Sequence, residues 1–134
     1  MPGLIDELKA EHRALLAQLD AARAVNLDPV EFKRAAVRSK ALLLAHLGKE
    51  EARFYPAIEK AALTDARLNG ILVLFREDLK SVGALANEFF ARLESAPEEE
   101  DLTHAFTELA SKLRSRIAKE ENLLYPEFER LRLK

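Results

Sequence analysis

Ile5, Leu8, Leu15, Leu19 and Ala22 recur three, four or seven residues apart, the spacing of one face of a helix. Three more stripes of the same period follow. Phe32, Ala36, Leu43, Phe54 and Ile58 make the second, Leu68, Ile71, Phe75, Val82 and Phe89 the third, and Phe106, Leu109, Leu113, Leu124 and Phe128 the fourth. Breakers separate them. Asn26-Leu27-Asp28-Pro29 ends the first segment, which runs from Leu4 to about Val25, and offers Asp28 as N-cap and Pro29 as first residue of the next. The second segment reaches about Ala62, with Pro56 inside it predicted to kink it or mark its last turns. Thr64 or Asp65 caps the third, which reaches about Glu94 and is weakened locally by Gly70 and Gly83. Ser95-Ala96-Pro97 and the acidic run Glu98 to Asp101 connect to the fourth, which ends near Leu131; the acids suit the positive end of a helix dipole. Short connections favour antiparallel neighbours, so the expectation is an all-α, up-down-up-down four-helix bundle, one domain over residues 1–134.

Composition narrows the chemistry. With 134 residues and a net charge of −2, the chain does not present the basic face that nucleic acid or an anionic membrane would select. Arg34, Arg38, Lys40, Lys112 and Arg114 are interleaved with acids and read as solvated faces. The absence of cysteine removes disulfides, thiolate metal sites and thiol nucleophiles, and is compatible with a cytoplasmic location. The start, MPGLIDELKAEH, is amphipathic and lacks an apolar signal-peptide core. The longest apolar stretch, Ile71 to Phe75, is far too short to span a bilayer.

Polar residues interrupt three of the stripes. His12 lies between Leu8 and Leu15, His46 and Glu50 between Leu43 and Phe54, and Arg116 and Glu120 between Leu113 and Leu124. Residues four apart share a helix face, so each of the last two pairs can address one target. Burying such groups unpartnered costs several kcal/mol, roughly, so they share a cation or neutralise one another. The two pairs also belong to a repeat. HLGKEEARFYPAIEK from His46 and RIAKEENLLYPEFER from Arg116 align at an offset of 70 residues, matching Glu50 with Glu120, Tyr55 with Tyr125 and Pro56 with Pro126. The first positions differ, imidazole in one copy and guanidinium in the other. Tyr55 and Tyr125 are expected to close the end of the core with their hydroxyls at its edge. Glu51 and Glu121 are expected to face solvent or an adjacent helix, and His104 the surface.

EHRALL around His12, HLGKEEARFYP from His46 and AKEENLLYP around Glu120 resemble the hemerythrin-like family, the HHE cation-binding domain, over essentially the whole chain. The resemblance implies a bundle whose centre holds a non-haem iron pair on histidines and bridging carboxylates, with roles in dioxygen binding, iron or oxygen sensing, or metal storage. Carried across, it assigns His12, His46, Glu50 and Glu120 as metal ligands. Two positions depart. FREDLKSV puts Asp78 or Leu79 where the family has a histidine in the third helix, and the apolar register does not choose between them. The fourth-helix histidine is Arg116, which has no lone pair for a metal. Two imidazoles and two carboxylates suffice for one zinc or iron ion and are thin for two. The expected function is therefore a non-enzymatic, reduced-site cation binder for metal or oxygen sensing or binding, carrying one iron ion or none rather than a pair. The alternative is a metal-free bundle in which Arg116 pairs with Glu50, Glu120 and Asp78 and the protein acts as an interaction or signalling module. A di-iron oxidase or peroxidase ranks third. Metal and dioxygen are the expected partners, with a homo-oligomer or a protein partner left open.

Overall fold

Residues 3–95 and 101–133 are described by the structure, a computed structural model. Helix α1 spans Leu4–Ala24, α2 Pro29–Lys49, α3 Tyr55–Ala62, α4 Ala66–Ser95, α5 Thr103–Lys119 and α6 Tyr125–Arg130. A single wide π-turn, Glu50–Phe54, joins α2 to α3 without a break, and a second, Glu120–Leu124, joins α5 to α6. The four predicted segments are thus the four rods of the bundle: α1, α2 with α3, α4, and α5 with α6. Helix α1 packs on α2 and α5, and α4 on α3 and α5. Among the described residues there is no strand, and no helix is long and apolar enough to cross a membrane.

The boundaries follow local chemistry. Asp28 caps α2 by accepting from the amides of Val30 and Glu31 at 3.1 and 3.2 Å. Asp65, rather than Thr64, plays that part before α4, accepting from the Leu68 amide at 3.1 Å. Glu98, Glu99 and Glu100 of the acidic run lie outside the described residues; Asp101 accepts from the Thr103 amide at 2.9 Å. Pro56 marks the last turns of the second rod, as expected, and does so just past a π-turn. The amide of Tyr55 reaches back five residues to the Glu50 carbonyl, and Pro56 falls in the first turn of α3, where its missing N–H is no loss. Tyr125 and Pro126 repeat the arrangement over Glu120.

All six phenylalanines on the predicted stripes are buried, as are the aliphatic positions; Ile71 is only half-buried. The core comes in two parts. One gathers Leu15, Leu19, Leu43, Val82, Phe89, Phe106 and Leu113. The other gathers Leu8, Phe54, Ile58, Phe75, Leu124 and Phe128. Buried Glu127 ties α6 to Arg67 on α4 and to Arg130. Between the two apolar parts lies a buried layer of charge.

Candidate metal centre

The polar interruptions meet in that layer. His12, His46, Glu50, Arg116 and Glu120 are each 5% exposed or less. One ligating atom from each of His12, His46, Glu50 and Glu120 lies within 4.8 Å of all the others. The two imidazole Nε2 atoms stand 3.0 Å apart, His12 Nε2 is 3.2 Å from Glu120 Oε1, and His46 Nε2 is 3.1 Å from Glu50 Oε1. These are the four residues that the repeat and the family resemblance single out.

The orientation of the rings is fixed from outside. His12 Nδ1 donates to Glu121 Oε2 at 2.7 Å, and His46 Nδ1 donates to Glu11 Oε1 at 2.9 Å. Glu11 is in turn held by Lys49. A carboxylate only accepts, so both Nδ1 atoms carry the proton and both Nε2 atoms aim inward. Without a further proton or a cation, two lone pairs would face each other at 3.0 Å. The interior supplies the same demand from the acids. Glu120 Oε1 is the one buried side-chain polar atom without a hydrogen-bond donor among the described residues; His12 Nε2 is close but out of line.

The π-turns bring in groups that straight helices would not. Tyr55 donates to Glu120 Oε2 at 2.8 Å, and Tyr125 donates to Glu50 Oε2 at 2.9 Å while standing 3.2 Å from His12 Nε2. The expectation that these hydroxyls sit at the edge of the core is corrected: both reach its middle. A residue five positions on lies about 140° around an α-helix, but about 40° when one residue is absorbed by a bulge. That rotation returns each tyrosine to the face of its own motif glutamate.

Arg116 is buried, not splayed to solvent. Its Nη2 donates to Glu50 Oε1 at 3.1 Å, and its Nε lies 3.6 Å from Glu120 Oε2. Asp78 does not join it; that carboxylate is on the surface, paired with Lys119. Leu79 takes the inward position and lines a cleft with Arg116 and Tyr55. Glu51 is exposed, whereas Glu121 faces α1 and holds His12; neither that role nor that of Glu11 was anticipated. His104 is on the surface, as expected.

Electrostatics divides the two central acids. Burial opposes charge on Glu50, but hydrogen bonding from His46 and the charge of Arg116 overcome it and hold the carboxyl down at about 2. Burial, with the neighbouring Glu50 carboxylate, pushes Glu120 up to about 7. Burial would lower His46, but the bond to Glu50 wins and its imidazole is raised. Both tyrosine hydroxyls are pushed far up, by burial first and then by the two carboxylates, so they act as donors only.

The donor set fits one small divalent ion. Four ligands at ~2.0–2.1 Å in a tetrahedron stand ~3.3 Å apart; the three close contacts, at 3.0, 3.1 and 3.2 Å, need to open by only tenths of an ångström, and the remaining separations, within 4.8 Å, to close towards that value. A pair of ions ~3.5–4 Å apart would need further ligands. Arg116 and Leu79 stand where the family resemblance would place two of them.

A helical bundle with a buried two-histidine, two-carboxylate cluster belongs to the cation-binding class of four-helix proteins. Residues 3–128 match the family model of the hemerythrin HHE cation-binding domain, nearly the whole chain, and the protein is a member of that family. Neither curated proteins nor solved structures give a match.

Proposed function

We propose that this chain holds a single non-haem iron ion on His12, His46, Glu50 and Glu120, and that it serves in metal or dioxygen sensing or binding in the cytoplasm, without catalytic turnover. The observation that carries this reading is that one ligating atom from each of the four residues lies within 4.8 Å of the others, beside Glu120 Oε1, a buried oxygen with no donor. An iron ion supplies there a Lewis-acidic, redox-active centre. The chain's own residues supply the rest. Glu11 and Glu121 hold the ring tautomers, Tyr55 and Tyr125 fix the outer carboxylate oxygens, and Arg116 balances charge from Glu50 Oε1, the oxygen that also faces His46 Nε2. A guanidinium in the centre disfavours a second cation beside it, which reduces the site from two ions to one.

A second reading rests on the Arg116 contacts. Nη2 on Glu50 and Nε facing Glu120 already provide one positive charge for two acids, as a metal-free interaction or signalling module would need. Metal analysis of protein purified without chelator, with an absorption spectrum, separates the two. The first reading expects close to one iron per chain, lost in His46→Ala. Metal-free wild type favours the second, and metal content unchanged in His46→Ala overturns the ligand assignment.

A further inference from the structure

The guanidinium of Arg116 has more donors than the charged layer uses. It carries five N–H groups. One is bonded to Glu50 at 3.1 Å, and the approach of Nε to Glu120 at 3.6 Å is beyond hydrogen-bond range. The side chain nevertheless lines a cleft of about 340 Å³ that opens to solvent between α2 and α4. The walls there are Leu47, Pro56, Leu79 and Gly83, and Tyr55 lies beside Arg116 with its hydroxyl committed to Glu120. Leu47, Glu51 and Gly83 also line a second groove, of about 440 Å³, that continues along the same two helices to Phe90.

We propose that this cleft is a binding site for a monocarboxylate with a short apolar tail, its head on Arg116 and its tail along Leu47 and Leu79 past Gly83. A nearly buried guanidinium with spare donors at the end of an apolar cleft is the arrangement that recognises a planar carboxylate. The exposed rim acids Glu51 and Glu59 select against ligands with several negative charges, such as phosphates. Gly83 lines the cleft, and a Cβ added there meets no atom within 4 Å, so a larger side chain can be introduced at that wall without a backbone clash. The site does not depend on whether an ion is held among His12, His46, Glu50 and Glu120.

The test is a calorimetric titration of the purified protein, as isolated and after chelation, with sodium hexanoate. Acetate and hexylamine serve as comparisons. Hexanoate should bind saturably, acetate about tenfold more weakly or worse for want of the tail, and hexylamine not at all. Arg116→Gln should weaken hexanoate by about tenfold or more. Gly83→Leu, which fills the cleft and touches none of the buried ligands, should abolish hexanoate binding while leaving metal content unchanged. Equal binding of hexanoate and hexylamine, undiminished binding in Gly83→Leu, or no saturable binding to the wild type would each overturn the proposal.

Discussion

Replacing Arg116 by methionine keeps most of the apolar stem and removes the charge. In the metal-free protein this strands Glu50 and Glu120, both fully buried. The contact at 3.1 Å is worth about 5 kcal/mol gross at an effective dielectric near 20, and that at 3.6 Å slightly less. Several kcal/mol of this offsets the desolvation of the guanidinium itself, leaving a net loss of about 3–5 kcal/mol, the usual cost of breaking a buried pair from one side. For a domain of this size that lowers the melting temperature by roughly 10–20 °C. The assay is thermal unfolding by circular dichroism at pH 8 after chelation, where a stranded acid cannot cheaply escape by taking a proton. With a divalent ion restored, the two carboxylates regain a cation and the loss should fall to less than about half. A chelated variant that melts within about 3 °C of chelated wild type would refute the reasoning, since it would mean that the guanidinium and the acids were never interdependent.

The pH dependence of the metal-free protein has a definite sign. Glu120 is raised from 4.5 to about 7, so its protonated form favours the fold, fully below 4.5 and progressively less as pH rises through about 7. His46, raised above 6.5, acts in the same direction over a higher window, whereas Glu50, lowered to about 2, costs stability only as pH falls below 4.5. Chelated protein should therefore melt highest between about pH 4.5 and 6.5 and lower towards pH 8, and a melting temperature that climbs over that interval contradicts the assignment. Truncating the carboxylates behind the rings, Glu121→Ala or Glu11→Ala, should weaken metal affinity by about 10–100-fold, read by competition with a chromophoric chelator; unchanged affinity would show that the ring tautomers are not set from behind.

The bundle was legible in the sequence because a single physical variable, apolar burial at the helical period, wrote itself four times. The charged layer was legible for the complementary reason: His12, His46, Glu50, Arg116 and Glu120 fall on those stripes and nowhere else makes sense of them. What escaped was phase. Ile58 and Phe128, beyond the π-turns, stay on their predicted stripes, but the extra residue absorbed in each turn also carries Tyr55 and Tyr125 inward, which the period of a straight helix does not. The repeated proline one residue later was the available signal, since an α-helix could not have housed it there. Glu11 and Glu121 escaped for another reason. They are half-exposed and stand next to stripe residues, so nothing in the pattern distinguishes a carboxylate holding a histidine from one facing water. At Asp78 and Leu79 the register of the helix packs Leu79 against the core and leaves Asp78 at the surface, where it meets Lys119.

The crossed tyrosines bear on how the chain assembles. Glu50 belongs to the first half of the repeat, yet it is bonded by Tyr125 and Arg116 from the second; Glu120 belongs to the second half and is bonded by Tyr55 from the first. His12, likewise, is steered by Glu121 across the same divide. Each half meets its own acid only in part, through His46 on Glu50 and Arg116 beside Glu120; the tyrosine on each acid comes from across the divide. A species with one half formed and the other undocked leaves its glutamate short of the donors from across the divide, and burying it there is costly. The polar layer therefore makes partial assembly unrewarding, and joins two similar hairpins into one cooperative unit through mutual debt rather than through shared apolar surface alone.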